Sequence, residues 1–159
     1  MEQPDVHFET LPPMRVASFW GFGEQPEGIA WEKLNAWAGP RGLLGDLEAH
    51  PIFGFNNPNP SLGSTKYGYE LWLYAGREME SEGDMRVVDF EGGRYAVLHC
   101  EVPVGKYEFI TESWGRLLAW VEDSQYQMVC KQCLERSAPF DASGIEFALD
   151  LMLPICEEG

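Results

Sequence analysis

Positive charge is scarce in this sequence. Eleven Lys and Arg stand against 26 Asp and Glu, a formal net charge of −15. Phosphate backbones and anionic membrane surfaces are held through Lys and Arg contacts, so direct binding of nucleic acid or of a membrane surface is not expected. Long apolar runs are missing too, and nothing approaches the ~20 residues of a membrane-spanning helix. Met1 to Asp5 is polar and lacks the charged-then-apolar order of a secretory signal. Cysteine is sparse: Cys100, Cys130, Cys133 and Cys156 show no disulfide-scaffold spacing, the usage expected of a reduced, cytoplasmic protein.

Several chemistries lack their residues. Cys130-x-x-Cys133 resembles half a zinc knuckle or a redox pair, but no second pair or suitably spaced His accompanies it. His7, His50 and His99 are scattered, so neither a metal nor a cofactor is expected. Ser64-Thr65-Lys66 after Gly63 lacks the glycines of a phosphate loop. No Ser/His/Asp or Cys/His spacing singles out a catalytic residue. No helix-turn-helix pattern precedes the globular part, and no stretch is low-complexity.

What the chain does have is a motif written twice. Trp31-Glu32-Lys33-Leu34-Asn35-Ala36-Trp37 returns as Trp114-Gly115-Arg116-Leu117-Leu118-Ala119-Trp120, and the two copies hold four of the six tryptophans. Trp, Leu and Trp at three-residue spacing fall on neighbouring turns of a helix and form an apolar stripe. A second correspondence follows in the same order: Tyr69-Glu70-Leu71-Trp72-Leu73 matches Leu149-Asp150-Leu151-Met152-Leu153. The repetition predicts an α+β fold made of two strand-helix-strand-strand repeats, about residues 6–75 and 85–155. They are expected to be related by a pseudo-twofold axis within a single domain over residues 1–159. The antiparallel sheet should carry both helices on one side and a ligand cleft on the other.

Taken in order, Val6 to Leu11 reads as a strand, Pro12-Pro13 as a break or bulge, and Met14 to Trp20 as its continuation. The first helix should run from about Glu27 to Ala38, stopped by Gly39-Pro40. Ile52 to Asn56 and Tyr67 to Ala75 are strands around an Asn/Pro loop. Gly76 to Gly83 reads as the linker between repeats. Met85 to Phe90 and Arg94 to Val102 form a strand interrupted at Gly92-Gly93. The second helix should span about Lys106 to Asp123, with strands over Cys130 to Arg136 and Ile145 to Ile155 around a turn at Ala138 to Ser143.

Strand side chains alternate between faces. Tyr69, Leu71 and Leu73 suit packing beneath a helix, which leaves Glu70, Trp72 and Tyr74 opposite. The same alternation turns Tyr95, His99 and Met152 away from the helices, together with Trp20. A carboxylate among large aromatics is what a cation site needs, because ring quadrupoles attract a cation and the acid supplies the opposite charge. The plainer reading is an amphipathic sheet face with Glu70 solvated.

The repeated element order resembles the GyrI-like effector-binding family. So do Arg94-Tyr95-Ala96-Val97 after a Gly-Gly turn, Trp120-Val121-x-x-Ser124-x-Tyr126, and Leu134-Glu135 opening a strand. That family includes ligand domains of multidrug-responsive transcription regulators, gyrase-inhibitor proteins and stand-alone integron-cassette proteins. Tyr69-Glu70-Leu71-Trp72 is most similar to the integron-associated branch. The resemblance implies a pocket at the repeat junction, with Glu135 as its acid, Tyr95 as a pocket aromatic, and Glu70 with Trp72 as an acid–aromatic pair. Arg136 and Ser137 depart from the family pattern of an apolar residue and Tyr, and alternation should turn Arg136 away from Glu135. The expected ligand-binding residues are therefore Glu135, Glu70, Trp72, Tyr95 and Trp20. The expected function is binding of small, largely apolar, cationic organic molecules, for sequestration or sensing. Two alternatives stay open: hydrolysis of strained, cyclopropane-bearing genotoxins with Glu70 or Glu135 as base, and protein-directed inhibition resembling gyrase inhibitors.

Overall fold

The computed structural model describes residues 5–76, 79–83, 85–129, 131–140 and 143–157. Among the described residues nine strands and two helices follow in the order β1 (Val6–Leu11), β2 (Met14–Gly23), α1 (Pro26–Ala38), β3 (Ile52–Asn56), β4 (Tyr67–Leu73), β5 (Arg86–Phe90), β6 (Gly93–Pro103), α2 (Glu108–Glu122), β7 (Tyr126–Met128), β8 (Leu134–Ala138) and β9 (Ile145–Glu157). The chain is α+β, with antiparallel strand pairing and two helices. Among the described residues no helix is long and apolar enough to cross a membrane.

The chain divides into two compact units. One is Pro13–Glu91; the other joins the residues up to Pro12 to those from Gly92 onward. In the first unit β4 pairs with β3 on one side and β2 on the other, and β2 also pairs with β5. In the second, β9 pairs with β8 and β6, β6 also pairs with β1, and β7 joins the far end of β9. The strand orders are thus β3-β4-β2-β5 and β8-β9-β6-β1.

This pairing corrects the reading of β1 and β2 as one interrupted strand. β1 pairs in one unit and β2 in the other, and β5 and β6 part in the same way. The breaks have a local cause. Pro12 and Pro13 have no N–H to give to a ladder. Gly92 has φ +78°, and a Cβ there would lie 2.3 Å from the carbonyl oxygen of Leu11, so only glycine fits.

Helix α1 begins at Pro26, where the missing N–H removes no intrahelical bond. Its buried stripe is Pro26, Ala30, Leu34 and Ala38, with Trp31 and Trp37 only partly buried beside it. Helix α2 buries Ser113, Leu117 and Val121, flanked by Trp114 and Trp120. Leucine, not tryptophan, therefore forms the centre of each stripe: the wide indoles cover the edges while Leu34 and Leu117 are wholly enclosed. Beneath α1 lie Ala17, Phe19, Tyr69, Leu71 and Leu73; beneath α2 lie Ala96, Leu98, Cys100, Leu151 and Leu153.

Two boundaries differ from expectation. The strand expected from Cys130 begins at Leu134, and Cys130 lies outside the described residues. The three-residue β7 was not foreseen, because so short a segment carries no period-two signal.

Candidate ligand-binding site

Alternation along β4 sends Tyr69, Leu71 and Leu73 to α1 and turns Glu70 and Trp72 to the opposite face. Strand register then sets Trp20 and Phe55 on either side of Glu70, and Ser18 and Phe53 on either side of Trp72. Three side chains hold the Glu70 carboxylate. The Ser18 hydroxyl donates to Oε2 at 2.7 Å, Trp72 Nε1 donates to the same oxygen at 2.6 Å, and Asn57 Nδ2 donates to Oε1 at 2.9 Å. All three donors are neutral. Among the described residues no Lys, Arg or His is paired with Glu70, so its charge is fixed in place but not neutralised.

Aromatic rings surround this acid. Trp72, only 8% exposed, packs edge-on to Phe55 with centroids 4.8 Å apart and against Phe90 at 5.3 Å. Trp20 and Phe22 stack at 5.8 Å and are both 45% exposed, so they offer open ring faces. Trp20 Nε1 donates to the carbonyl oxygen of Asn57 at 2.6 Å, and Lys33 Nζ donates to the carbonyl of Trp20 at 2.9 Å. Asn57 is thus tied both to Trp20 and to Glu70. Its position depends on Gly68, whose N–H donates to the Pro58 carbonyl at 3.0 Å and whose carbonyl accepts from Asn57 N–H at 2.8 Å. A Cβ at Gly68 would stand 1.9 Å from the Asn57 carbonyl oxygen. No larger residue allows that approach.

The remaining expected residues lie in the other unit. Tyr95 on β6 is fully buried and sits opposite Glu9 and Pro154, on the face turned from α2. Glu135 lies on the face beneath α2, where Trp114 Nε1 donates to its Oε2 at 3.1 Å. Arg136 points the other way, as alternation predicts. It donates to both oxygens of Glu9 at 2.9 and 2.7 Å, and from Nε and a guanidinium N–H to Asp150 Oδ2 at 3.1 and 2.8 Å. The Arg136 guanidinium holds the Glu9 carboxyl down at about 2. Asp150, which matches Glu70 in sequence, is therefore paired with Arg136 and, at 2.9 Å, with His99, whereas among the described residues Glu70 has no cationic partner.

Of the five expected residues, Glu70, Trp72 and Trp20 come together in one unit. Tyr95 and Glu135 lie in the other, on opposite faces of its strands. Sequence reasoning missed Asn57 and the packing partners Phe55 and Phe90, and gave Ser18 no role. Asn57 was visible only as a loop residue, and nothing local marks it as a partner for Glu70. Among the described residues no group of three or more His, Cys, Asp or Glu is placed to hold a metal ion.

Among the described cysteines, Cys100 and Cys133 are not poised for chemistry. Burial pushes the pKa of Cys100 up, and burial followed by the nearby Glu135 charge pushes that of Cys133 up. Thiolates are the reactive form, so Cys156, exposed at the end of β9, should be alkylated before Cys100 and Cys133. Mass mapping after brief iodoacetamide treatment of the native protein checks this: Cys100 and Cys133 should stay unmodified until denaturant is added. Labelling of Cys133 as fast as Cys156 would mean that the β8 edge opens.

An acid held by neutral donors among aromatic rings has the chemistry to hold a small molecule. The chain belongs to the GyrI-like family, whose small molecule binding domain matches residues 4–155. No curated protein matches it in sequence. Solved structures match it closely in fold. EcmrR in a DNA complex superposes with a TM-score of 0.73 at 14% identity, over 99% of this chain and 59% of that one, so this chain spans less than two thirds of the EcmrR chain. SAV2435, solved bound to tetraphenylphosphonium, gives 0.59 at 13% identity over 98% and 94% of the two chains. An integron cassette protein from the mobile metagenome of Vibrio cholerae gives 0.57 at 10% identity over 95% of each.

Proposed function

We propose that this protein binds small organic cations with aromatic or apolar bodies, and that Glu70 supplies the opposing charge. The observation that carries the reading is the Glu70 carboxylate, held by Ser18, Trp72 and Asn57 and paired with no cationic side chain among the described residues. A carboxylate fixed by neutral donors beside ring faces attracts a cation from two directions, by direct charge and by the ring quadrupoles of Trp20 and Phe22. Family membership supports small-molecule binding. The tetraphenylphosphonium bound to SAV2435 supports a lipophilic cation as the class. The two units work, in this reading, as one effector-binding domain that arose by duplication and serves sequestration or sensing in the cytoplasm. Laying one unit on the other by a single rotation should bring Trp31 onto Trp114, Leu34 onto Leu117 and Glu70 onto Asp150.

The direct test is titration with tetraphenylphosphonium and with neutral triphenylphosphine oxide, followed by tryptophan fluorescence. The cation should saturate the signal at concentrations at least about tenfold below the neutral analogue, a difference of about 1.4 kcal/mol. Equal affinities would overturn the reading. Analysis of the mixture after incubation should return the ligand unchanged.

Tyr95 and Glu135 belong to the proposal through the family resemblance. Glu135→Gln keeps an acceptor for Trp114, so stability should change little. If Glu135 selects charge, the substitution costs on the order of 1–3 kcal/mol for the cation and much less for the neutral analogue. Unchanged cation affinity would remove Glu135 and leave Glu70 alone.

A further inference from the structure

We infer that the Glu70 site takes cations carrying at most one N–H donor, such as quaternary or tertiary ammonium and phosphonium groups, and discriminates against amidinium, guanidinium and primary ammonium groups. The inference rests on the cation-binding reading above and adds to it the class of cationic head group.

Acceptor positions on the carboxylate set this limit. A carboxylate offers about four lone-pair sites, two on each oxygen. On Glu70, Oε2 already accepts from the Ser18 hydroxyl at 2.7 Å and from Trp72 Nε1 at 2.6 Å, so both of its sites are taken. Oε1 accepts from Asn57 Nδ2 at 2.9 Å, which leaves about one site open. An amidinium or guanidinium binds a carboxylate through a fork that needs a free lone pair on each oxygen. A primary ammonium carries three donors, all of which need acceptors once it leaves water. At Glu70 either head group would lose water and keep donors unpaired, which is costly in a partly desolvated place. A quaternary cation asks for no acceptor. It needs only the charge and the ring faces, and a tertiary ammonium can use the one open site.

Ser18 is in this account the specificity-setting residue, although it touches the ligand only through Glu70. It is itself buried, 7% exposed, and its hydroxyl has the carboxylate as its partner. Trp72 closes the second site on the same oxygen while packing against Phe55 and Phe90, so neither donor is free to swing away. The matching acid of the other unit, Asp150, meets Arg136 instead, so this pattern of neutral donors belongs to Glu70.

The experiment compares two cations with one aromatic body, biphenylmethyl-trimethylammonium and biphenyl-carboxamidinium, each measured by competition against tetraphenylphosphonium. Wild type should bind the trimethylammonium at least about tenfold more tightly, the worth of one unmade charge-assisted hydrogen bond. Ser18→Ala frees a lone pair on Oε2 and should narrow that ratio by about tenfold, through tighter amidinium binding alone. Ser18→Thr keeps the hydroxyl and should keep the wild-type ratio. If Ser18→Ala does not fold, Trp72→Phe removes the other donor to Oε2 and should move the ratio the same way. A wild-type preference for the amidinium, or a ratio that Ser18→Ala leaves unchanged, would overturn the inference. Glu70→Gln separates the two levels. Trimethylammonium binding that survives it overturns the cation-site reading itself. Binding that depends on Glu70 with an unmoved Ser18→Ala ratio overturns only the donor count.

Discussion

Glu70→Gln should weaken tetraphenylphosphonium binding by about 2 kcal/mol, roughly 30-fold, while leaving the protein folded. The substitution removes the charge and keeps the shape. The glutamine oxygen can still accept from Ser18 and Trp72, as Oε2 does now. Its amide nitrogen then replaces the oxygen that Asn57 serves, and rotation of the Asn57 amide presents an acceptor in place of the donor. The hydrogen-bond pattern survives, so stability should change by no more than about 1 kcal/mol. Binding of triphenylphosphine oxide should be nearly unaffected, because a neutral ligand draws on the rings and not on the charge. Fluorescence titration of both ligands, with a thermal melt of each protein, distinguishes the outcomes. A parallel loss for cation and neutral analogue would point to a collapsed site, and no loss for either would take Glu70 out of it.

Arg136→Met should lower stability near neutral pH by about 2 kcal/mol, because it leaves two carboxylates that now share one guanidinium with only the half-exposed His7 and His99 beside them. Arg136 and both acids are largely enclosed, with side chains 20%, 28% and 15% exposed. The sign of the pH dependence follows from Glu9, whose carboxyl is lowered from an ordinary 4.5 to about 2. A depressed acid contributes stability above its unfolded value, and that contribution is lost as pH falls through the folded one. Wild type should thus lose about 1–2 kcal/mol between about pH 5 and pH 2 from this group, a figure reduced for solvent screening. Arg136→Met keeps only the weaker His7 contact at Glu9 and has less of this kind to lose, so the gap between the proteins should narrow on acidification. Urea unfolding near neutrality and at about pH 3 measures it. A gap that stays constant would mean that Arg136 stabilises through the packing of its stem and not through Glu9 and Asp150.

Much of the fold was legible because it depends on local periods. The helical spacing of Leu34 and Leu117 with their flanking tryptophans marked both helices, and Gly39-Pro40 ended the first. Period-two alternation in Tyr67 to Leu73 placed Glu70 and Trp72 together on the face away from α1, and the same rule separated Arg136 from Glu135. These are consequences of backbone geometry within one element, and no other part of the chain can change them.

Pairing between elements was not legible. That β1 joins β6 while β2 joins β4 and β5 depends on where a chain broken at Pro12-Pro13 finds free hydrogen-bonding edges. The Glu70 site needed three such decisions. The β2–β4 register brought Ser18 beside Trp72, the β3–β4 register brought Phe55 beside Glu70, and the close approach at Gly68 carried Asn57 within reach of the carboxylate. The sequence alone determined which side chains each strand shows to each face. Only the tertiary structure decided which acid meets neutral donors and which meets an arginine, because a hydrogen bond is set by angstroms between residues far apart in the chain.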